Sequence, residues 1–391
     1  MRKTMYNFDK IIDRKNTNSI KYDSSKEIFG QEEVLPLWVA DMDFQSPPAI
    51  LDAIKKRAEH GVLGYSFRDQ DSVGHFTNWV KRRYSWDITP EQVSGSPGIV
   101  TALALSVRIF TNPKAKVLIQ TPVYPPFHSL VIETGRTLVT SQIEMTPNGY
   151  SVNWEDFESK LASGVEMFIL CNSHNPLGKM WSREELLRMG NLCLKHGVLI
   201  FSDEIHADLA LYGNQHIVMA SVSQEIAMNT ITAMAPSKTF NIAGLLNSLI
   251  VSKSPELLNK FNKELNTLHL GMGNVIGHIT LSPAYNESEE WLNSLVTYIG
   301  ENVDYAYDYL AKELPTVTFI KPESSFLLWL DFRKTGLSHK QIKEKLINQA
   351  KVGLNDGTAF GECGQGFFRM NIGAPKAIVK EALERIVATF K

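Results

Sequence analysis

The sequence predicts an α/β fold, with a mostly parallel central sheet covered by helices in a large domain and a smaller α+β domain beside it. Two observations favour this class. Apolar runs recur along the chain with little alternation between apolar and polar residues, which is typical of strands buried on both faces. Amphipathic segments of helical periodicity separate the runs, as in a sheet with crossover connections. The runs cover residues 115–120, 166–172, 198–205, 229–235 and 247–251.

Several of the intervening helices are predicted from their end signals. Ser182 begins a capping box, an apolar face follows it, and Gly197 closes that helix. Residues 288–314 carry apolar side chains three to four positions apart, which predicts one long helix leading into the smaller domain. Ser338 is predicted to cap another helix, and Pro375 lies near the start of the last one.

The length of 391 residues allows two domains. We expect residues 1–48 to form an N-terminal segment that joins the small domain. Residues 49–286 are predicted to form the large domain, and residues 287–391 the C-terminal small domain. The chain contains no repeat, low-complexity tract or linker, so we expect the two domains to pack against each other.

Composition and charge limit the classes of partner. The chain is 43% hydrophobic and 21% charged with a formal net charge of −2, as expected of a soluble globular protein. A near-neutral surface argues against nucleic acid or an anionic membrane as the main partner. No apolar stretch approaches the roughly 20 residues that a membrane span needs, and the charged start lacks the apolar core of a secretory signal. We therefore expect a cytoplasmic protein.

The three cysteines, Cys171, Cys193 and Cys363, have neither metal-ligand spacing nor a Cys-x-x-Cys pattern. They are predicted to be small buried or half-buried side chains in a reducing compartment, and no metal site is expected.

Lys238 is the first candidate catalytic residue. It lies in a turn that follows an apolar, β-branched run, and small and polar residues come after it. An amine that the fold holds in a cavity is poorly solvated when charged, so the neutral form needed for a Schiff base becomes easier to reach. Pyridoxal 5'-phosphate is bound through such a lysine. The alternative is an ordinary surface lysine after a strand.

Asp203 lies at the end of the predicted strand 198–205, and ligands of parallel sheets gather outside the carboxyl ends of the strands. Pyridoxal phosphate works as an electron sink when its pyridine nitrogen is protonated, which requires a carboxylate beside it. Asp203 is the candidate for this role, with a helix N-cap as the alternative. Glu204 would point to the other face of the strand and is predicted to be structural.

Asn175 follows another apolar strand and precedes a proline, which restricts it to an extended or turn geometry. Its amide could then donate to the phenolic oxygen of the cofactor, although Asn, Pro and Gly also form ordinary turns. A glycine-rich turn opens a helix at Gly98, and the backbone amides at such a helix start are suited to binding the cofactor phosphate. Ser237 can add a hydroxyl donor. The alternative is that Gly98 marks only the start of a helix and no phosphate site.

Arg369 follows an apolar run between Gly366 and Gly373 and is the candidate for binding the α-carboxylate of an amino-acid substrate. Its planar guanidinium can hold a carboxylate by two parallel hydrogen bonds, which orients the Cα–H bond.

These residues resemble a known family. The sequence Asn-Pro-Leu-Gly at 175–178, Asp203 with His206, the sequence Ser-Lys-Thr at 237–239 and Arg369 are similar to the fold-type I pyridoxal-phosphate enzymes of the class I/II aminotransferase group. The resemblance spans essentially the whole chain. The string Trp-Val-Ala-Asp-Met-Asp-Phe at residues 38–44 resembles the carbon–sulfur β-lyase branch, which includes cystathionine β-lyase and cystalysin.

The resemblance implies further site residues. It places the backbone amides of Gly98, Ile99 and Val100 at the cofactor phosphate. Tyr124 would stack on the pyridine ring, His206 would lie beside Asp203 near the phenolic oxygen, and Ala40 would contact the substrate together with Asn175 and Arg369. A core tyrosine and a structural histidine are the alternatives for Tyr124 and His206.

The resemblance also predicts a homodimer with a shared active site, in which Tyr65 reaches the phosphate bound to the partner subunit. Two positions depart from the broader aminotransferase pattern. Ala235 replaces a serine common in relatives, and Leu246 stands where most aminotransferases carry an arginine that pairs with the phosphate. The lyase branch also lacks this arginine.

The expected activity is α,β-elimination of L-cystathionine or related cysteine S-conjugates to a thiol, pyruvate and ammonia. Lys238 would remove the Cα proton, Asp203 would stabilise the resulting negative charge through the ring nitrogen, and Tyr124 would complete the catalytic set. The same groups could serve a class I/II aminotransferase, which is the alternative. A catalytically idle member that acts as an interaction partner is a third hypothesis.

Overall fold

The computed structural model describes residues 6–147 and 149–391. Two of the sheets in this part of the chain have three strands or fewer, and one has eight. The strands are β1 (Leu35–Pro36), β2 (Val93–Ser96), β3 (Lys116–Thr121), β4 (Thr137–Thr146), β5 (Gly149–Val152), β6 (Val165–Cys171), β7 (Leu199–Asp203), β8 (Thr230–Met234), β9 (Ser248–Val251), β10 (Leu327–Asp331), β11 (Val352–Gly353), β12 (Asn355–Asp356) and β13 (Phe367–Asn371).

The large sheet has the strand order β2-β9-β8-β7-β6-β3-β4-β5. Its five inner neighbours β8, β7, β6, β3 and β4 run parallel, whereas β9, β2 and β5 pair antiparallel at the two ends. The predicted mostly parallel sheet is therefore confirmed. The carboxyl ends of β3, β6, β7 and β8 meet at one edge, so the segments that follow these strands lie close together.

Helices cover both faces of this sheet and build the rest of the molecule. They are α1 (Ile20–Asp23), α2 (Ser25–Phe29), α3 (Pro48–His60), α4 (Gln70–Tyr84), α5 (Ile99–Phe110), α6 (Pro126–Glu133), α7 (Trp154–Ala162), α8 (Arg183–Lys195), α9 (Gln224–Met228), α10 (Pro236–Thr239), α11 (Pro255–Thr267), α12 (Val275–Glu287), α13 (Glu289–Glu313), α14 (His339–Lys345) and α15 (Lys376–Phe390).

The absence of alternation in the strands is explained by two apolar cores, one on each face of the sheet. In β6, Phe168 packs into the core beneath α7 and α8, while the adjacent Ile169 packs into the core beneath α5. Both side chains are at most 1% exposed. A residue run that must be apolar at every position therefore marks a strand with helices on both sides.

The helix-end predictions are also confirmed. Ser182 and Ser338 each form a capping box at the starts of α8 and α14. The long helix α13 has Ser288 as its N-cap and Leu314 as its C-cap, and Pro375 precedes α15. None of the helices in the described part of the chain is long and apolar enough to cross a membrane.

The small sheet has the order β10-β13-β12, with β13 in the centre and both pairings antiparallel. The N-terminal part of the chain contacts this region, because β1 pairs in parallel with β11. Arg369 occupies the middle of β13, opposite Trp329 on one side and Asn355 on the other. Domain limits at residues 48 and 286 stay a prediction.

Candidate active site

The ends of four parallel strands form one cavity of about 310 Å³. Tyr124 follows β3, Asn175 follows β6, Asp203 ends β7, and Lys238 follows β8 in α10. The cavity is lined by Ala40, Pro97, Gly98, Ile99, Val100, Thr101, Tyr124, Cys171, Asn175, Asp203, Ile205, His206, Ser237, Lys238, Ala243 and Leu246. With the exception of Tyr65 and Arg369, every residue predicted to form the site lines this cavity.

Lys238 extends its amine across the cavity to the N-terminal segment. Its Nζ donates to the backbone oxygen of Ala40 at 2.5 Å, and no acidic side chain in the described chain forms an ion pair with it. Burial, reinforced by the positive charge of Arg369, lowers the pKa of Lys238 to about 8. The neutral amine is therefore much more populated near neutral pH than in an exposed lysine.

Asp203 is buried at the end of β7, and its Oδ1 accepts a hydrogen bond from the backbone N–H of Ile205 at 3.1 Å. Burial, together with the neighbouring Glu204, raises the pKa of the Asp203 carboxyl to about 7. A cationic group brought into the cavity would favour the ionised carboxylate. Asp203 is thus suited to binding a protonated nitrogen of a ligand.

Glu204 does not line the cavity, and its contacts are structural. The strand ends at Asp203, and the Glu204 carboxylate is buried among polar groups. It accepts hydrogen bonds from Asn172 Nδ2 at 3.1 Å, Ser202 Oγ at 2.7 Å and the Met219 N–H at 3.0 Å, and it contacts His216 Nε2. These bonds anchor the backbone directly behind Asp203.

Arg369 lies beside the cavity, and all its hydrogen-bond acceptors are neutral. Its NH1 donates to Asn175 Oδ1 at 3.1 Å, and its NH2 donates to the backbone oxygen of Trp38 at 2.9 Å and to Asn355 Oδ1 at 2.5 Å. The Nε is buried without a hydrogen-bond partner. Burial lowers the pKa of Arg369 to about 10, so the guanidinium remains charged at neutral pH. A buried cation with only neutral acceptors is suited to binding a carboxylate.

Asn175 contributes its side-chain oxygen to Arg369, which leaves the Nδ2 group as a possible donor toward a ligand. Its backbone N–H donates to Cys171 Sγ at 3.3 Å. The interaction with Arg369 connects the end of β6 to the small sheet. The predicted contact with a phenolic oxygen stays a prediction.

The start of α5 provides a second type of binding group. Gly98 precedes the helix with φ of 119°, a conformation that favours glycine, and no side chain caps this helix. The first amides of an α-helix have no acceptor within the helix, and here Ile99, Val100 and Thr101 line the cavity. Together with Ser237, they form a donor set suited to an anion such as phosphate.

Tyr124 and His206 both line the cavity. Burial raises the pKa of Tyr124, and burial together with the charges of Lys238 and Arg369 lowers the pKa of His206 to about 3. His206 is therefore neutral, and its Nδ1 lies 3.3 Å from Ser325 Oγ. Neither the stacking role of Tyr124 nor the role of His206 beside a phenolic oxygen is tested by this geometry.

Tyr65 does not line the cavity of its own chain. It lies in the segment between α3 and α4, and its side chain is 96% exposed. The single chain therefore gives it no role in the site.

The backbone of residues 38–44 is a component of the site that the sequence interpretation missed. The carbonyls of Trp38 and Ala40 accept from Arg369 and Lys238, as described above. Those of Val39 and Asp41 accept from Asn371 Nδ2, each at 2.6 Å. The string was used to identify a family, but the hydrogen-bonding role of its carbonyls has no signature in side-chain identity.

Acidic residues of the same segment hold it in place. Asp43 forms ion pairs with Lys21 and Arg14, each at 2.7 Å, and Asp41 pairs with Arg14 at 2.6 Å. Lys21 is fully buried and Asp43 nearly so. Asn241, three residues after Lys238, donates to the carbonyls of residues 42 and 44, each at 2.8 Å.

A larger groove of about 840 Å³ lies elsewhere, between β4 and the segment at residues 358–363. Its lining includes Glu144, Asp156 and Glu362 but contains no lysine or arginine. Unlike the smaller cavity, it does not combine side chains of shifted pKa with a buried cation and a helix start. We therefore assign the candidate active site to the 310 Å³ cavity.

Comparisons with known proteins agree with this geometry. Residues 32–386 match the family model for aminotransferases of class I and II. The chain is 43% identical to cystathionine beta-lyase PatB of Bacillus subtilis (strain 168), over 98% of this chain and 100% of that protein. The crystal structure of cystalysin from Treponema denticola, which contains pyridoxal 5'-phosphate, has a TM-score of 0.95 and 33% identity, with 98% of each chain covered. The PLP-bound C-S lyase from Staphylococcus hominis has a TM-score of 0.92, also with 33% identity and 98% coverage of each chain.

Proposed function

Because the chain belongs to the class I and II aminotransferase family, we propose that it is a pyridoxal-phosphate-dependent carbon–sulfur β-lyase. Its substrate is L-cystathionine or a related cysteine S-conjugate, and its products are a thiol, pyruvate and ammonia. The observation that carries the proposal is that Lys238 and Asp203 line one cavity, with Arg369 beside it in contact with Asn175, in a chain similar to C–S lyases over almost its whole length.

The residues present fit the cofactor. The uncapped start of α5 offers amides without acceptors at the cavity, together with the hydroxyl of Ser237. Lys238 would hold the aldehyde, Asp203 the ring nitrogen, and the α5 amides the phosphate. When bound, pyridoxal 5'-phosphate accepts the electron pair left on the substrate Cα after its proton departs.

The protein residues perform the proton transfer and the orientation. Arg369 binds the α-carboxylate by two parallel bonds, which fixes the direction of the Cα–H bond. Lys238 Nζ removes the Cα proton, because its lowered pKa of about 8 makes the neutral amine accessible near neutral pH. The Cβ–S bond then breaks, and the departing sulfur keeps the bonding electron pair and takes up the proton that Lys238 removed, which gives the thiol. Addition of water to the remaining three-carbon fragment gives pyruvate and ammonia.

The lining of the cavity is suited to the thioether group of the substrate. Several lining side chains are apolar and suit a thioether, namely Ala40, Ile99, Val100, Ile205, Ala243 and Leu246.

One assay separates the lyase from the alternative. The purified protein is incubated with L-cystathionine, and pyruvate is followed with lactate dehydrogenase and NADH. Continuous pyruvate release without any added keto acid is the expected result. Turnover that requires a keto acid would identify an aminotransferase instead, and a protein that takes up no cofactor would leave only the non-catalytic role. Lys238→Ala is the control for contaminating activity.

The proposal includes a homodimer with a shared active site. Support comes from a run of exposed apolar side chains between α3 and α4, since large apolar groups of this kind mark interfaces. Val62 is 61%, Leu63 63%, Tyr65 96% and Phe67 83% exposed. Val100 and Leu246, which line the cavity, are also exposed at 43% and 57%. A second copy that covers this surface would bring its Tyr65 toward the cavity.

Subunit mixing tests the shared site. Tyr65→Ala and Lys238→Ala subunits are each expected to be inactive or nearly so. A mixed dimer contains one site with both defects and one site with neither, so activity should reappear on mixing. No recovery from subunits that exchange, or a monomer in analytical ultracentrifugation, would contradict the shared site.

We also propose that the protein acts in the cytoplasm. All three cysteines are unpaired, with Cys171 and Cys193 buried, as suits a reducing compartment. Cell fractionation with an antibody against the chain tests this location.

A further inference from the structure

Arg68 is a cation beside the segments that border the phosphate end of the candidate site. Its NH2 donates to Asn247 Oδ1 at 2.9 Å, and its guanidinium packs directly against the backbone of Gly95. Gly95 and Ser96 lead without interruption into Gly98 and the start of α5. On the other side, Asn247 directly follows Leu246, which lines both the candidate cavity and the small cleft around Arg68.

No acidic side chain neutralises Arg68 in the described part of the chain. It forms no ion pair, and its Nε is buried without a hydrogen-bond partner. The two clefts that it lines contain glycine, serine, asparagine, histidine and apolar residues but no aspartate or glutamate. The adjacent Asp69 caps α4 instead, by accepting from the N–H and the hydroxyl of Ser72. Burial lowers the pKa of Arg68.

The chain makes specific room for this guanidinium. A Cβ atom on residue 95 would overlap with the Cζ and both terminal nitrogens of Arg68, so residue 95 must be glycine for the guanidinium to occupy this position. Asn247 is itself held, since its Nδ2 donates to the backbone oxygen of Gly277 at 2.7 Å. An unpaired, partly desolvated cation raises the free energy of the fold unless an anion lies nearby.

We propose that Arg68 supplies the positive charge that opposes the cofactor phosphate. Leu246, which lines the cavity, carries no positive charge to pair with the phosphate. Arg68 contacts both the adjacent Asn247 and Gly95, which lies shortly before the start of α5. The inference rests on the proposed function, because it requires a phosphate-bearing cofactor at α5. Arg68 acts through its electrostatic field, because the backbone that it contacts at residues 95 and 247 continues into the cavity-lining residues Gly98 and Leu246.

The test compares two ligands that differ only in the phosphate. Apoprotein is titrated with pyridoxal 5'-phosphate and with pyridoxal, and binding is followed by absorbance and by quenching of protein fluorescence. Arg68→Gln should weaken binding of the phosphate ester by roughly tenfold and leave pyridoxal nearly unchanged. Arg68→Lys, which keeps the charge, should recover most of the loss. Arg82→Gln, which removes an exposed arginine of α4 that pairs with Glu289 of α13, is the matched control.

A second readout does not depend on the lysine or on activity. Inorganic phosphate should slow cofactor uptake by the wild-type apoprotein, and Arg68→Gln should need roughly tenfold more phosphate for the same effect. Equal losses for both ligands, or an unchanged phosphate requirement, would overturn the role of Arg68. If the wild-type protein itself binds no pyridoxal 5'-phosphate, the proposed function fails first, and the two failures are thus distinguishable. Circular dichroism and thermal melting of each apoprotein identify a variant that has lost its fold. If Arg68→Gln is such a variant, the binding of pyridoxal 5'-phosphate and pyridoxal to Arg68→Lys is the measurement that tests the proposal.

Discussion

Arg369→Gln should reduce kcat/KM for amino-acid substrates far more than it alters the fold. The wild-type guanidinium lies beside the cavity, with three neutral acceptors and no carboxylate within ion-pair distance in the described chain. Glutamine can keep a neutral hydrogen bond to Asn175 or Asn355 but carries no charge. Replacing a buried cation also removes its desolvation cost, so the variant should not melt at a much lower temperature than the wild type.

The magnitude follows from the two parallel bonds that a carboxylate would form. A hydrogen bond to a charged group contributes about 1.5–3 kcal/mol, so the pair contributes at least about 3 kcal/mol. At about 1.4 kcal/mol per factor of ten, kcat/KM should fall by more than about 100-fold. The loss is larger than an exposed ion pair could give, because burial excludes water from the bond.

The assay uses a ligand pair to isolate the carboxylate. L-methionine and 3-(methylthio)propylamine differ only in the α-carboxylate, and neither carries sulfur on the Cβ position, so neither can release pyruvate by β-elimination. Each is measured as an inhibitor of L-cystathionine cleavage. Arg369→Gln should raise the inhibition constant of the amino acid by about 100-fold and that of the amine by less than about twofold. Arg385→Gln, which breaks a surface pair with Glu381, is the matched control. If both inhibitors weaken equally, Arg369 does not bind the carboxylate.

Three further predictions concern the amine, a turn and a buried ion pair. In the apoprotein, reductive methylation of Lys238 should rise with pH through a midpoint of about 8, whereas exposed lysines follow their usual value near about 10.4; peptide mass mapping measures both. Because the folded-state pKa lies below the unfolded value, the charged amine destabilises the fold below pH 8, and this cost disappears as the pH rises from about 8 to about 10.4. Lys238→Met should therefore stabilise the apoprotein at pH 7 by at most about 3 kcal/mol, with a smaller gain at pH 10 in urea titrations; a gain that grows with pH would refute this. Gly178→Ala should lower the free energy of unfolding by about 1–3 kcal/mol, because a Cβ there would collide with residues 322–324, whereas Gly64→Ala meets no atom within 4 Å and should be neutral. Lys21→Met removes one of the two cations that pair with buried Asp43, and it should raise KM more than it lowers kcat. A variant with the thermal stability and kinetics of the wild type would show that this ion pair does not hold residues 38–44.

The parts of the fold that could be predicted from the sequence are those governed by local chemistry. Ser182 starts α8 because its side chain and that of Glu185 satisfy two orphaned amides, and this pattern is readable within four residues. The strand that ends at Asp203 was recognisable because both faces are covered, so that every position had to be apolar. Asp203 and Lys238 could be paired in advance because parallel strands bring their carboxyl ends to one edge.

Other features depend on long-range approach and carry no local signal. Asn355 contacts Arg369 because β12 and β13 pair in the small sheet, and nothing in the sequence around residue 355 distinguishes it from a turn asparagine. In the sequence, nothing distinguishes Arg68 from other charged residues near a helix start. Its contact with Gly95 exists only in the folded structure. The geometry of one chain likewise leaves Tyr65 outside the site, since the partner that would give it a role is a separate molecule.

The N-terminal segment explains how two buried basic side chains, Lys238 and Arg369, are held at the site without a carboxylate partner. Lys238 and Arg369 donate to the carbonyls of Ala40 and Trp38, which are two residues apart. Neutral carbonyls satisfy the donors without cancelling their charge, whereas a carboxylate at the same distance would form stable ion pairs and compete with the ligand. The acidic side chains of the segment, Asp41 and Asp43, instead pair with Arg14 and Lys21. The carboxylates of the segment thus form the ion pairs that hold it, while its carbonyls accept from Lys238 and Arg369 and leave both without a carboxylate partner.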